Sequence, residues 1–581
     1  GGDGGSGGTA GTGGDGGTAG EYSWGAPERI DDEGAVNYDV PTQLAVNASG
    51  AAVAVWTTSW DGEIWTNRYA PDNGWGSAER IEIDAEGYVS SFPPPQVAIA
   101  PNGSAMIVWL QDQPDAIWGS HFTPSAGWEP AEQIDRGFQD YGVHGPDVAM
   151  DADGNAIAVW RRSATDNTVV ASRYTPDGGW GEVQRIDDGS AEGSYETGIA
   201  MAANGGAIAI WTTFQTERGS IFANRYTSTG GWETPEAIDN PEPGTNLPEG
   251  LQVVMDGSGN GIVVWLQDYP ADIGYLRRVT ANRYTPDGGW EDAEMIEGGT
   301  GTYSYLPHVS MNANGTAMVV WPGFNRDPEP GGVWSIRYTP DSGWQTEELV
   351  EAYPALSALY PQVAVDPTGN AVAVWQSYGS YGSTQQNVWS SHYTSSEGWG
   401  TSVRIDHGLG VFSPPRLGVD ANGKAIAVWA QSSASFSGVW ANRFDDSPKE
   451  DNSDVWQALC DAICERTLVC VPNEGTVAEC ASECMGELGG RPCAPNPGAL
   501  ATCVNEVASL PCEDLELGRV PYACELVCVG DLLCSDGCED GNECTKDLCD
   551  PANGSCTYTP VADETPCGDG TGTCQNGVCG T

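Results

Sequence analysis

Lysine is nearly missing from this chain: Lys424, Lys449 and Lys546 are the three in 581 residues, and 24 basic side chains face 81 acidic ones for a formal charge of −57. So negative a molecule repels phosphate backbones and anionic lipid, which excludes nucleic-acid binding and electrostatic attachment to membranes. No apolar run approaches the roughly 18 residues a bilayer span requires, so no transmembrane segment is expected. Cysteine is absent from the first 459 residues, and all 18 fall between Cys460 and Cys579. The chain starts at Gly1 with no apolar leader, and the expectation is that an export signal has already been removed.

What the chain has in abundance is repetition. The runs AVAVW, AMIVW, AIAVW, AIAIW, GIVVW, AMVVW, AVAVW and AIAVW end at Trp56, Trp109, Trp160, Trp211, Trp265, Trp321, Trp375 and Trp429, 51 to 56 residues apart. Each unit reads as four short strands. An alternating segment such as Asp147–Met150 turns through a Gly-containing tetrad into the Trp-ending run. A third segment (IWTNRY in the first unit) follows, and a PDGGW-type turn leads to a W-x-x-x-E-x-I-D strand. Period-two alternation, β-branched and aromatic content and Gly/Asn/Asp turns favour strands. Four strands in about 50 residues is the spacing of propeller blades. The eighth unit stops after its third strand at Phe444, while Trp24–Asp31 forms an unattached fourth strand at the other end. Joined, the two ends complete a blade and leave no open edge. The expected fold is therefore mostly β: an eight-bladed β-propeller with strand-swapped closure over residues 21–445.

The turn Tyr174-Thr175-Pro176-Asp177-Gly178-Gly179-Trp180 resembles the Asp-box hairpin of sialidase-type propellers. That resemblance implies the fold and no sialidase activity, because the box is architectural there. The Gly/Ser/Thr/Asp/Ala tract over residues 1–20 is expected to be a flexible tether. It resembles the tracts that follow the acylated cysteine of bacterial lipoproteins, which implies a lipid anchor at a removed N-terminal position.

Most repeated features have structural explanations. The strand-two tryptophans and the turn tryptophans (Trp24, Trp75, Trp128, Trp180, Trp232, Trp290, Trp344, Trp399) are expected to fill the wedges between blades. The third-strand Arg or His (Arg68, His121, Arg173, Arg225, Arg283, Arg337, His392, Arg443) and the fourth-strand acids (Asp31, Glu82, Asp135, Asp187, Asp239, Glu297, Glu351, Asp406) are expected to form intrablade hydrogen bonds or ion pairs. Asp151–Asn155 looks like the start of a calcium loop but lacks its downstream Glu, so a side-chain-stabilised turn is expected and no metal or cofactor.

Function is expected where repetition fails, in the second-to-third-strand and blade-to-blade loops of one face. These loops hold Trp60, Asp112, Tyr141, His144, Tyr195, Phe214, Tyr269, Asp272, Tyr275, Tyr303, Tyr305, Tyr378 and Tyr381, the ligand-binding candidates, together with other aromatics such as Tyr360. Tyr beside Asp suits carbohydrate or protein recognition. An acid repeated in every blade is a poor catalyst, and loop arginines such as Arg161, Arg162, Arg277 and Arg278 form no recognisable set, so no enzyme is expected. The main expectation is an extracellular or cell-surface recognition protein for a glycan or extracellular protein. The alternatives are a polysaccharide hydrolase or lyase using Asp112, Asp140 or Asp272, and a structural envelope or matrix component.

A linker over residues 446–455 leads to two cysteine-rich modules. Residues 456–530 carry Cys460, Cys464, Cys470, Cys480, Cys484, Cys493, Cys503, Cys512, Cys524 and Cys528, three times spaced Cys-x-x-x-Cys, which suits a small disulfide-stapled helical unit. Residues 531–581 carry Cys534, Cys538, Cys544, Cys549, Cys556, Cys567, Cys574 and Cys579 and read as an irregular disulfide-rich unit of undetermined pairing. Cys538 to Cys556 with Thr559-Pro560-Val561 resembles the Cys-Thr-x-Asp-x-Cys-Asp repeat of slime-mould extracellular matrix proteins, also found in myxobacterial surface proteins. That resemblance implies an extracellular setting.

Overall fold

The computed structural model describes residues 23–445, apart from interruptions confined to the second-to-third-strand and blade-to-blade connections, and five short strands between Thr545 and Gly580. The domain expected to be helical, residues 456–530, lies outside the described residues. Among the described residues no helix is long and apolar enough to cross a membrane.

Eight antiparallel sheets succeed one another along the chain as blades, each ordered first to fourth strand. Blade three is representative: Val143–Met150, Ala156–Arg162, Thr168–Thr175, and a fourth strand split into Gly179–Trp180 and Gln184–Arg185, both paired with the third. The split is a difference from the four continuous strands expected. It follows from the backbone after the turn tryptophan, whatever the residue: Gly181 N–H reaches back to the Arg173 carbonyl and Glu129 N–H to the His121 carbonyl, both at 2.8 Å, and the next residues leave the ladder before rejoining it.

The second strands carry continuous apolar runs because neighbouring blades cover both their faces. All eight strand-two tryptophans are at most 1% exposed. Trp160 of blade three packs among Met106, Val108, Leu110 and Ile117 of blade two, so the tryptophans are wedges between blades. The turn tryptophans each pair across the ladder with the third-strand aromatic, as Tyr174 with Trp180 at 5.5 Å between ring centroids.

Closure is made by both ends of the repeat. Ser23–Trp24 and Glu28–Arg29 pair antiparallel with the last strand, Ser437–Asp445, with Trp24 opposite Phe444 and Glu28 opposite Ala441. Ile30 N–H donates to Val439 O at 2.9 Å and Val439 N–H donates to Asp31 Oδ1 at 2.9 Å.

The fourth-strand acids act within blades, as expected. Asp187, Glu297 and Asp406 accept from the backbone N–H of Val169, Val279 and Val388 on the adjoining third strand. The third-strand Arg/His series makes the expected intrablade pairs, Arg225 with Glu233 and Arg283 with Glu291 among them, and adds contacts to the next blade. Arg68 pairs with Glu79 in its own blade at 3.1 Å, but its guanidinium also lies 4.3 Å from the Phe122 ring of the next blade. His121 meets Tyr174, Arg225 meets Tyr284, Arg283 meets Tyr338 and Arg337 meets Tyr393 in the same way. Arg443 of blade eight contacts Tyr69 of blade one and continues the relay across the closure. The aromatic after each Arg or His is what makes this relay possible, since it places the next blade's acceptor at the same height.

The first strands line the axis, where a free strand edge would leave N–H groups unpaired. Side chains from the preceding blade satisfy several of them. Asp147 accepts from Ile199 N–H at 2.9 Å, Gln252 from Val309 N–H at 3.1 Å and His308 Nδ1 from Val363 N–H at 3.2 Å, while Arg416 donates to Gln43 at 2.8 Å. Burial pushes the Asp147 carboxyl up to about 6, against its ordinary 3.8. Burial, with Arg416 adding to it, pushes His308 down to about 3 and keeps it neutral as an acceptor.

The Asp147 shift has a sign that can be measured. The folded state holds this proton to higher pH than the unfolded chain, so the group favours folding least above pH 6 and that penalty fades as pH falls towards 4. Asp147→Asn removes the titration. The stability of the variant relative to wild type should therefore rise by about 1–2 kcal/mol between pH 4 and pH 8, less than the ~3 kcal/mol of a wholly dry site because the carboxylate is half-buried. Urea midpoints at the two pH values test it. A difference independent of pH would show that the group titrates normally.

The turns from first to second strand confirm the side-chain-stabilised form. Asp151 Oδ1 accepts from Asp153 and Asn155 N–H at 3.0 and 2.8 Å, and the equivalent Asp256, Asp366 and Asp420 accept at the same offsets. Among the described residues no group of three or more His, Cys, Asp and Glu is arranged to hold a metal ion.

In the C-terminal region, Thr545–Asp550 pairs with Ser555–Pro560, and Pro566–Cys567, Gly572–Gln575 and Val578–Gly580 form a second small sheet. The unit expected to be irregular thus contains two small antiparallel sheets.

Candidate functional site

The face that carries the variable loops collects the polar ends of blades two to four. Asp112 closes the second strand of blade two, opposite Tyr88. Asp115 starts the return, and its carboxylate accepts from Gly142 N–H, at 3.0 Å, on the approach to blade three. His144 and Arg161 face each other across the first ladder of blade three. The Arg161 guanidinium sits 5.8 Å from the ring of Tyr195, at the start of blade four. Thr197 Oγ1 donates to Gly145 O at 2.6 Å and ties blade four to the segment carrying His144. Five chemically active side chains from three blades therefore converge on one arc of the rim.

Their electrostatics differ from one another. Burial raises the Asp112 carboxyl, and the neighbouring charge of Asp115 raises it further against the opposing pull of Ser90 and His144. Burial and Arg161 lower His144 more than the two carboxylates raise it. Burial also lowers Arg161. The arc thus has an acid that retains its proton to higher pH than usual and an imidazole kept neutral to lower pH than usual. This is the pairing that general acid–base chemistry uses.

Tyr195 is 52% and Phe214 38% exposed, which makes them two of the most exposed large apolar side chains described. The Tyr195 ring lies over Gly193, and Gly193 is the ladder partner of Phe214, so both aromatics crown blade four beside the polar arc. Glu196, next to Tyr195, turns the other way and accepts from Leu251 N–H at 2.9 Å in blade five.

Of the residues singled out in the sequence, Asp112, His144, Tyr195 and Phe214 come together here. Tyr269 does not: it belongs to blade five, with its hydroxyl 3.0 Å from Thr280 Oγ1 and its ionisation pushed up by burial. Tyr275, Tyr303 and Tyr378 contribute backbone to strands of blades five, six and seven. Trp60, Tyr141, Asp272, Tyr305 and Tyr381 lie outside the described residues, as does Asp140. Asp115 was not singled out, and Arg161 was set aside for want of partners. Asp115 reaches Gly142 on the approach to the next blade and Arg161 reaches Tyr195 of the next blade, so aligning the repeats and comparing the residues that flank each Trp run is the signal that finds them.

A family model described as a Dictyostelium (slime mold) repeat matches residues 537–561. No curated protein matches the chain. Among solved structures the chain is similar to polysaccharide lyase Uly1, at 11% identity and TM-score 0.38 over 65% of this chain and 92% of that one. It is also similar to an α-L-arabinanase of Penicillium chrysogenum (12% identity, TM-score 0.32, 52% and 93% covered) and to the Aleuria aurantia lectin (11%, 0.30, 54% and 96%). At such identities these likenesses concern the fold alone. The expectation of a non-enzymatic chain is corrected by this comparison: polysaccharide lyases, a sialidase and an arabinanase stand beside lectins among the similar structures.

Proposed function

We propose that this protein is an extracellular polysaccharide-cleaving propeller, whose rim arc over blades two to four breaks glycosidic bonds by general acid–base catalysis. The observation that carries the reading is the differentiated set Asp112, Asp115 and His144. One carboxyl is biased towards its protonated form by burial and by a second carboxylate, next to an imidazole biased towards its neutral form. In this reading Asp112 donates the proton to the departing glycosidic oxygen. His144 or Asp115 takes a proton from the attacking water or from the sugar carbon, Arg161 balances negative charge that develops at the break, and Tyr195 with Phe214 supports sugar rings. The extracellular setting rests on the slime-mould-type repeat and the cysteine-dense tail.

The exposed pair Tyr195 and Phe214 also favours a second reading, binding of a glycan without cleavage. One experiment separates the two. The full chain is incubated with soluble arabinan, xylan and polygalacturonate, and new reducing ends and unsaturated products are measured for wild type and Asp112→Asn. Release that depends on Asp112 supports cleavage, and the presence or absence of unsaturated ends divides lyase from hydrolase. Retention of the polymers with no release by wild type supports the lectin-like reading and removes the catalytic one.

A further inference from the structure

Across the axis from this arc, blade seven places a tyrosine in a backbone conformation that tyrosine does not favour. Four blades begin their first strand with a two-residue bulge: Gly145-Pro146 in blade three, Tyr195-Glu196 in blade four, Gly250-Leu251 in blade five and Tyr360-Pro361 in blade seven. The residue two before the axial latch position has φ of 60° at Gly145 and 68° at Gly250, the left-handed region that glycine enters freely. At the same position Tyr360 has φ of 52°. A bulky side chain there is a true outlier, held only because the surrounding strands impose it. Its partners in the ladder, Leu359 opposite Gln376 and Gln362 opposite Val374, fix the backbone on both sides.

The strained residue gains no core packing in return. Tyr360 is 38% exposed, and Leu306, at the same position of blade six, is 39% exposed. Blade eight has Pro414 there, half-buried. At this position blades six to eight therefore carry an apolar arc, Leu306, Tyr360 and Pro414, in addition to the acid–base arc on blades two to four. In an eightfold ring, blade seven stands opposite blade three. A polymer engaged at Asp112 and His144 and running across the opening would meet the apolar arc next.

We infer that Tyr360 is a stacking subsite for a pyranose or furanose ring of the polysaccharide, displayed by a left-handed bulge at the far side of the opening from the acid–base arc. The occupant is a sugar ring because the site offers an exposed aromatic face, which matches the C–H face of a carbohydrate. This inference rests on the polysaccharide reading above, but it concerns binding and not bond cleavage.

The test uses the full chain with Asp112→Asn in every variant, so that polymer is not consumed, and reads retardation in native gels cast with arabinan, xylan or polygalacturonate together with the thermal unfolding midpoint. Tyr360→Gly should leave the midpoint unchanged or higher, because glycine adopts this φ without strain. The same substitution should weaken retardation by about three- to tenfold, the range of one aromatic contact. Tyr360→Phe should retain it. Equal retardation of Tyr360→Gly and its parent overturns the subsite, as does a large fall in midpoint, which would make the side chain a packing element. Absence of retardation in all three gels overturns it too. The outcome is separable from the cleavage reading: Tyr360-dependent retardation in a chain that releases no ends sustains the subsite alone, and Asp112-dependent cleavage with full retardation of Tyr360→Gly sustains the catalytic arc alone.

Discussion

A chain shortened to begin at Asp32 is expected to lose the closed ring, while one beginning at Ser23 keeps it. The difference lies in nine residues. Without them the last strand, Ser437–Asp445, presents an unpaired edge, and the Val439 N–H and C=O lose Asp31 and Ile30 as partners. Ile30 is 3% exposed and packs with Ala52, Ala54 and Trp56 of blade one and Val428, Val439 and Ala441 of blade eight, so its removal opens the seam between first and last blades. Its carbonyl also accepts from Asn67 Nδ2 at 2.7 Å, a buried bond that would be lost while the same nitrogen keeps Gly76 O at 2.9 Å. Losing a buried Ile side chain costs about 2–5 kcal/mol, and each buried polar group left unpaired about 1–3 kcal/mol. Together these approach the whole stability of an ordinary domain, ~5–15 kcal/mol. The shortened chain should unfold at far lower urea or associate through its exposed edge, visible as concentration-dependent oligomers by light scattering. Adding a peptide of residues 23–31 should restore the monomer. A shortened chain as stable as the longer one would mean that the seam carries little of the ring's stability.

Sequence made the ring legible because its determinants repeat. The Trp-ending run appears eight times, buried on both faces in every blade, and the orphan Trp24–Asp31 segment matches the strand that the eighth unit lacks. The latches around the axis were not legible for the opposite reason. The position is Gln in four blades (Gln43, Gln96, Gln252, Gln362) but Asp147, His308 and Arg416 in three others, so the residue type does not announce a shared task, although Asp147, Gln252, His308 and Arg416 each reach towards the next blade's first strand. The interblade role of Arg68, His121, Arg225 and Arg443 was half visible: their regularity announced a structural task, but the aromatic partner stands one period ahead. The rim arc lies between these cases. Asp112, His144 and Tyr195 were recognisable singly as chemistry in variable loops. That they meet depends on three successive blades presenting their upper ends to one another, which only the register of the ladders reveals. Tyr360 illustrates the remaining limit, since a left-handed φ leaves no mark in the residue type when the residue is not glycine.

The acid–base arc makes the second large prediction. If Asp112 delivers the proton to the departing oxygen, Asp112→Asn should lower kcat/KM for the cleaved polymer by about 10²–10⁴-fold, the usual contribution of one positioned acid. The loss should fall on kcat, because the amide fills the same space and leaves polymer contacts at Tyr195 intact. Asp115→Asn has a different signature. It retains an oxygen to accept from Gly142 N–H, so the return after blade two keeps its shape. It also removes the negative charge that helps to raise Asp112, with burial remaining as the larger cause. The Asp112 carboxyl then ionises at lower pH, and since cleavage needs its protonated form, the alkaline limb of the kcat/KM profile should move towards acid. His144 shifts in the opposite sense: with fewer anions nearby, its imidazole loses its proton more readily, so the acidic limb moves the same way. The whole bell is therefore expected to slide to lower pH with its width little changed. A structural role for Asp115 would lower the profile uniformly and leave both limbs where they were. A shift of only one limb would assign the proton relay to a pair other than Asp112 and His144, because these two carry the charge of Asp115 between them.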